Sequence, residues 1–231
     1  MYGKIITDPP RPSEALLKKF EGLWTSTISD VMGRHGVLSP DIKPLFTPIT
    51  LIGAAFTVLN YPNDNVTTHR ALQMARKGDV LVIDEGLDNF TGAFGHNMSL
   101  NARAQGVVGL VSSGHVRDAR LLREEQFPVF SKGVCPRSAQ KNHPGSINGP
   151  VSIGGIVVNP GDLAIGDDDG VCIVPLAYAE EVLEKASERQ RMELDQADGI
   201  RNGDQALGIL YGDNWAKNRT AETLEVLKKE P

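Results

Sequence analysis

The chain has 231 residues, 40% of them hydrophobic and 23% charged, a globular composition long enough for one domain with its own core plus appendages. Its formal net charge is −5, and no basic run is denser than Lys18-Lys19 or Lys228-Lys229, so the concentrated footprint of a nucleic-acid binder is missing. Met1 to Thr7 lacks the apolar centre of a signal peptide and no stretch approaches a membrane span, which predicts a soluble, cytoplasmic protein with no nucleic-acid or membrane partner.

Residues 1–12 read as a Pro-rich arm. Ser13 opens an amphipathic helix over Glu14 to Gly22, with Leu16, Leu17 and Phe20 on one face. A second short helix is expected over Thr25 to Met32, ended by Gly33-Arg34-His35-Gly36. The pattern then alternates: a strand over Gly53 to Leu59, a helix over Thr68 to Arg76, a strand over Asp79 to Asp84, a helix starting near Asn97 and a strand over Val107 to Val111. A helix over Asp118 to Glu125 follows, and after Pro128 the chain becomes strand-rich. Val151 to Val158 and Val171 to Val174 are the clearest runs there, with a type II turn expected at Asn159-Pro160-Gly161-Asp162. A long helix from Leu176 to about Ala197 and a C-terminal helix over Thr220 to Lys229 close the chain. Alternating strands and helices followed by a block of strands predict a layered α/β domain with a mixed sheet. One short echo, Gly78-Asp79 and Gly161-Asp162, each leading into a strand, reads as two similar corners and not as a duplication.

Four segments could carry chemistry. Gly95-His96-Asn97-Met98-Ser99 follows a Gly-containing loop and starts a helix, so its amides could seat a carboxylate or phosphate; the alternative is an ordinary helix start. Ser112-Ser113-Gly114-His115-Val116-Arg117-Asp118 lies at the end of an apolar strand, where open α/β sheets place ligands. Arg117 offers a planar fork for a carboxylate and Asp118 a hard oxygen ligand suited to Mg²⁺. Equally, Asp118 could cap its helix while Arg117 pairs on the surface. Glu193 falls within about 20° of the Val182 stripe on the long helix, either at a solvated helix end or aimed at a partner. Asp167-Asp168-Asp169-Gly170 could hold a metal, but its place between two strands suits a turn better. His35, His69 and His143 form no metal spacing and read as structural or surface residues, while Cys135 and Cys172 read as two reduced thiols.

Taken in order, these pieces resemble the RraA-like family. The resemblance begins with Thr27-Ile28-Ser29-Asp30 and is strongest over Gly106-Val107-Val108-Gly109, Gly114 to Asp118 and Phe127-Pro128-Val129-Phe130. Gly145-Ser146-Ile147-Asn148, Pro160-Gly161-Asp162 and Asp167 to Val171 follow in family order. It implies an N-terminal arm and first helix (1–24), a catalytic domain (25–199) and a C-terminal helical extension (200–231). The domain would be a three-layer β/β/α domain of the swivelling type, forming homotrimers or homohexamers with shared active sites.

The family includes the 4-hydroxy-4-methyl-2-oxoglutarate and 4-carboxy-4-hydroxy-2-oxoadipate aldolases. The resemblance implies a class II aldolase or decarboxylase that cleaves a 4-hydroxy-2-oxo acid or oxaloacetate through a metal-stabilised pyruvate enolate. By family match, Asp118 would bind Mg²⁺ (or Mn²⁺), Arg117 would grip the 2-oxo acid, and the amides of Gly95 to Met98 would hold its carboxylate. Glu193 of a neighbouring subunit would help complete the metal site. The aldolases usually carry Asp or Glu where this chain has His96, so this residue is expected to alter the outer metal shell and the substrate range. The alternative is a non-catalytic regulator of the ribonuclease E type docked on another protein. That regulator has lost the metal aspartate after its arginine, whereas this chain keeps Arg117-Asp118.

Overall fold

The computed structural model describes residues 3–86 and 90–203, which fall into two compact units, one ending at Ser187 and one starting at Glu188. The first unit opens with α1 (Glu14–Lys19), α2 (Thr25–Val31), β1 (Lys43–Pro44), β2 (Leu51–Leu59), α3 (Val66–Leu72) and β3 (Asp79–Asp84). Next come β4 (Gly92–Phe94), α4 (His96–Ala104), β5 (Gly109–Ser112), β6 (His115–Val116), α5 (Ala119–Glu124), β7 (Val129–Ser131) and β8 (Gly133–Val134). The last strands are β9 (Ser146–Ile147), β10 (Val151–Ile153), β11 (Ile156–Val158), β12 (Leu163–Asp167) and β13 (Gly170–Val174). A 3-10 turn at Leu176–Tyr178 leads into α6 (Ala179–Arg201), whose residues from Glu188 belong to the second unit.

The main sheet runs in the order β1-β7-β5-β3-β2-β12-β13, with β9 also on β2. Strands β2, β3, β5 and β7 are mutually parallel, while β1, β9, β12 and β13 pair antiparallel, so the sheet is mixed as expected. Strand periodicity sorts its side chains onto two faces. Leu81 and Ile83 of β3, Phe56 and Val58 of β2, and Leu110 of β5 pack with Ala71, Leu72, Met98, Ala102 and Leu122 of α3, α4 and α5. Val80 and Val82 of β3, Ala55 of β2 and Val111 of β5 point the other way, against Val151, Ile153 and Val158 of the β10–β11 hairpin. On the helical face, farther along the sheet, Leu163, Ile165, Cys172 and Val174 meet Phe20, Ile28, Val182 and Ala186. The layers are therefore hairpin, sheet and helices, the β/β/α arrangement anticipated. Each fully buried Leu, Ile or Phe contributes roughly 1.5–3 kcal/mol of transfer free energy.

Local chemistry explains most boundaries. The Ser13 side chain accepts from Leu16 N at 3.1 Å and caps α1. The type II turn at Asn159–Asp162 is present: Asp162 N donates to Asn159 O at 3.2 Å and Gly161 takes φ +88°. The two echoing corners match closely. Gly78 has φ +84°, and Asp79 and Asp162 each accept from the amide three residues back, at 2.7 and 2.9 Å.

Two expectations shift, and a third falls on residues that are not described. Val151 to Val158 is not one strand but a hairpin turning at Gly154-Gly155, both with positive φ. α3 starts two residues earlier than expected because Asp64 Oδ1 accepts from Val66 N at 2.9 Å. The C-terminal helix expected over Thr220 to Lys229 lies outside the described residues. No described helix is long and apolar enough to cross a membrane.

Candidate active site

The site is built by a second, small sheet. β4 leads into α4 and β6 leads into α5, and β4 and β6 pair in parallel, Gly92 opposite His115 and Phe94 opposite Val116. Two strand-to-helix corners, Gly95–Met98 and Arg117–Asp118, therefore lie side by side, and Arg117 N donates to Phe94 O at 2.8 Å. The second candidate segment thus sits one short strand beyond the main-sheet strand to which the sequence assigned it.

The contact between corners is tight. A Cβ on Gly95 would lie 2.6 Å from Asp118 Oδ2 and 2.8 Å from Arg117 Cγ, and one on Gly92 would lie 2.8 Å from Arg117 Cβ. Glycine at both positions lets the α4 corner close onto Arg117 and Asp118.

Asp118 has φ 58°, ψ 34°, a left-handed conformation uncommon outside glycine, and makes no side-chain cap to α5. Its carboxylate turns back instead: Oδ2 accepts from His96 N at 3.2 Å and Oδ1 from Arg117 Nε at 3.4 Å. The helix-cap alternative for Asp118 is excluded, and Arg117 pairs with Asp118 itself. Among the described residues the two terminal guanidinium nitrogens of Arg117 take no acceptor, so the fork is open. At the start of α4, Met98 N and Ser99 N return to Gly95 O, whereas Asn97 N–H finds no acceptor among the described residues.

A cleft of about 250 Å³ is lined by Gly92, Ala93, Gly95, Asn97 and Met98 from one corner, by Arg117 and Asp118 from the other, and by Asn65, His69, Ser138 and Lys141. Of the candidates, Gly95, Asn97, Met98, Arg117 and Asp118 converge here. His96 contributes its amide, but its imidazole does not line the cleft; Nε2 lies 3.6 Å from Glu125 Oε1. Glu193 belongs to the second unit, where Arg189 Nε donates to it at 2.6 Å.

Sequence reasoning did not find the far wall. Asn65 immediately precedes α3 and His69 lies on it four positions later, a spacing that was readable; Ser138 and Lys141 carried no signal. Asn65 is buried and fixed: Nδ2 donates to Ala93 O at 2.6 Å and to Met98 Sδ at 3.6 Å. His69 is held below the ordinary imidazole value, first by partial desolvation and then by the Lys141 ammonium.

The remaining acids are structural. Asp167 accepts from Thr25 N and Oγ1 at 2.9 and 2.7 Å, and Asp168 Oδ1 accepts from Ile49 N at 2.8 Å, so Asp167-Asp168-Asp169 is a turn that latches distant loops. Cys172 is free and buried, its thiol pushed up to about 12 by burial and by Asp167; Cys135 is also free. A larger cleft of about 670 Å³, lined by residues including Asp84, Ser113 and Lys132, takes in Ser113 of the second candidate segment but none of Gly95 to Met98, Arg117, Asp118 or Glu193. Its Asp84 oxygens already accept from Gly86 N and Ser152 N, and Ser113 Oγ accepts from Glu85 N.

Among the described residues no three His, Cys, Asp or Glu side chains converge, and Asp118 is the cleft's carboxylate. That donor set does not make a closed, all-protein cage of the zinc type. It fits a hard cation such as Mg²⁺, which keeps most of its waters and binds through one or two carboxylates.

Residues 25–173 match the family model RraA-like, Aldolase/RraA. A Halalkalibacterium halodurans protein named "Putative 4-hydroxy-4-methyl-2-oxoglutarate aldolase" is 36% identical over 174 residues, 75% of this chain and 83% of the relative. A Burkholderia multivorans protein of the same name is 34% identical over 141 residues, 61% of this chain and 85% of its own length. The crystal structure of Streptomyces coelicolor RraAS2, described as an unusual member of the RNase ES inhibitor RraA protein family, superposes with a TM-score of 0.75 at 28% identity. It covers 81% of this chain and 98% of its own. With the paired corners and the Arg117-Asp118 junction in place, the chain belongs to the RraA-like family.

Proposed function

We propose that this chain is a divalent-metal-dependent carbon–carbon lyase that cleaves a 4-hydroxy-2-oxo acid, or decarboxylates oxaloacetate, with pyruvate as the common product. The observation that carries the proposal is Asp118: its left-handed backbone directs the carboxylate away from α5 and onto the Gly95–Met98 corner, beside the open fork of Arg117. The aldolase names of the two relatives support the same reading.

Asp118 would hold Mg²⁺ or Mn²⁺, which when bound supplies a Lewis acid for the 2-oxo group. Arg117 binds the substrate carboxylate through its two terminal nitrogens, orienting the 2-oxo group toward Asp118. The Asn97 N–H at the start of α4, which finds no acceptor among the described residues, adds a donor and the positive end of a helix dipole. As the carbon–carbon bond breaks, negative charge gathers on the pyruvate fragment, and these fixed groups are oriented before it forms. Glu193 of a second copy is assigned to complete the site in a homotrimer or homohexamer.

The test is pyruvate release from a panel of 4-hydroxy-2-oxo acids and oxaloacetate. Chelation should abolish turnover and Mg²⁺ or Mn²⁺ restore it. Lys141 lines the same cleft, so borohydride with pyruvate is the control: turnover that survives chelation, with covalent trapping, would mean Schiff-base chemistry instead. The RraAS2 description supports a second reading, a non-catalytic regulator that binds a ribonuclease. Inhibition of a ribonuclease by a chain inert toward the whole panel would establish it.

A further inference from the structure

We infer that residues 3–12 form a strap that positions the far wall of the cleft, with Arg11 as its anchoring residue; the effect on substrate binding rests on the lyase reading of that site. The strap precedes the stretch matched by the family model, residues 25–173, and it is attached near both ends of α3. That helix carries His69 and directly follows Asn65, two residues of the far wall. Near the start of α3 the attachment is strand addition. β9 is two residues long and pairs with β2 along one edge, and the strap takes the other edge, with Ile5 opposite Ile147. Gly3 N donates to Gly145 O at 2.8 Å, Ile147 N to Lys4 O at 2.9 Å and Ile6 N to Ile147 O at 3.1 Å. Asn148 Nδ2 donates to Ile6 O at 2.9 Å. Gly145 carries this contact to the helix: its own N–H donates to Thr67 Oγ1 at 2.6 Å, and Thr67 lies between Asn65 and His69.

Past the end of α3 the strap is held by charge. Arg11 pairs with Asp79, whose carboxylate is fully buried at the start of β3. Asp8 pairs with Arg76, and Arg76 also donates to Thr7 O at 3.5 Å. Glu14, at the start of α1, pairs with Lys77. The Asp8 and Glu14 pairs are exposed and hold little. Removing Arg11 would strip a buried carboxylate of the guanidinium that pairs it, so this pair is the anchor. Between the two attachments Pro10 crosses Gly161 so closely that a Cβ there would collide with Pro10 O. A strap fixed at both points limits the movement of α3 against β4, where Asn65 Nδ2 reaches Ala93 O. A shift of α3 by about 1 Å would displace Asn65 and His69 together, the scale at which positioning is lost.

The experiment combines amide hydrogen exchange with pyruvate-release kinetics on full-length variants. Ile6→Pro removes the N–H that donates to Ile147 O. Ile5→Pro is its control, because both bonds of the bridge belong to Lys4, Ile6 and Ile147 and the Ile5 amide faces away from β9. Ile6→Pro and Arg11→Gln should each speed exchange of the α3 amides, His69 N–H among them, by about tenfold or more, while Val82 and Leu110 in the central strands stay protected. Both should raise KM about threefold or more with kcat within about twofold of wild type. Arg11→Lys should recover most of the loss, and Ile5→Pro should match wild type. Unchanged α3 exchange in both variants, an equal effect of Ile5→Pro, or equal acceleration at Val82 and Leu110 overturns the strap. A fall in kcat at unchanged KM overturns its role in substrate positioning. If wild type shows no turnover while α3 exchange responds as expected, the hold on α3 stands and the lyase reading falls.

Discussion

Replacing Gly95 by alanine adds one methyl group at the point where the two corners touch. Gly95 has φ −145° and ψ −172°, an extended conformation open to any residue, so the substitution brings no backbone strain. Its effect is steric and local. The new Cβ would stand 2.6 Å from Asp118 Oδ2 and 2.8 Å from Arg117 Cγ, where ordinary contact begins near 3.4 Å. The carboxylate must retreat by about 0.8 Å and the arginine stem by about 0.6 Å, since the α4 corner is fixed by its pairing with β6. Displacements of that order in positioning groups reduce rate by about 100-fold. Overpacking of this kind typically costs about 1–3 kcal/mol in stability. We therefore expect kcat/KM in the pyruvate-release assay to fall by about two orders of magnitude and half-saturation by Mg²⁺ to rise. Gly149, where an added Cβ meets nothing within 4 Å, is the control, and Gly149→Ala should match wild type. A Gly95→Ala protein with near-wild-type kcat/KM and unchanged Mg²⁺ dependence would refute the idea that Asp118 and Arg117 work in the positions they hold here.

Arg117→Lys keeps the charge but loses the planar fork, so kcat/KM should drop about 100-fold; near-normal activity would make Arg117 a structural residue. If Glu193 acts in a neighbouring copy, mixing inactive Asp118→Ala and Glu193→Ala proteins under conditions of proven subunit exchange should restore part of the activity, and no recovery would count against sharing. For Asp64, burial alone would raise the carboxyl, but the backbone N–H groups of Asn142, Val66 and His143 outweigh it and hold the group below its usual value. A depressed folded-state value gives stability that is present above the unfolded carboxyl value of about 3.9 and is lost as pH falls through the folded one. Urea unfolding of Asp64→Asn should therefore show a deficit of about 1–3 kcal/mol at neutral pH that shrinks in acid; a deficit constant from pH 7 to pH 3 would contradict the assignment.

The parts of the fold that were legible are those where one local rule dominates. β3 reads as Asp79 to Asp84 in the sequence and is found there, because a run of Val, Leu, Val and Ile is bounded by Gly78 and by the polar Glu85-Gly86. Ser13 caps α1 as its position before a periodic helix suggests. The echo of Gly78-Asp79 and Gly161-Asp162 is two copies of one device, a left-handed glycine followed by an aspartate that bonds three residues back, flanking β2 on both sides. The β10–β11 hairpin was missed because apolar residues lie on both sides of Gly154-Gly155, so hydrophobicity masked the turn. Lys141 was missed for a different reason. Nothing adjacent to it in sequence marks it; it reaches the cleft because Asp64, 77 positions earlier, binds the amides that follow it.

Asp118 shows why a site residue can be named from sequence while its role stays open. An aspartate one residue before a helix is, by local rules, an N-cap: its side chain should accept from the second or third amide of that helix. Had it done so, the carboxylate would lie over α5, away from Gly95, and Arg117 would be a surface cation. The left-handed backbone at φ 58° prevents this. That conformation costs on the order of 1 kcal/mol for a residue with a Cβ, less for Asp than for most, and it gives up a cap that usually contributes about 1 kcal/mol more. Two local losses at one residue call for a compensating interaction elsewhere, and the structure supplies it in the His96 amide and the Arg117 guanidinium, both reached only because β4 and β6 pair. Those bonds are long, 3.2 and 3.4 Å, and leave the carboxylate about one-third exposed at the cleft. An arrangement selected for stability alone would have used the cap. Asp118 instead holds a partly satisfied carboxylate at a cleft beside a guanidinium whose terminal nitrogens find no acceptor among the described residues, the arrangement on which the proposed binding of a cation and a 2-oxo acid rests.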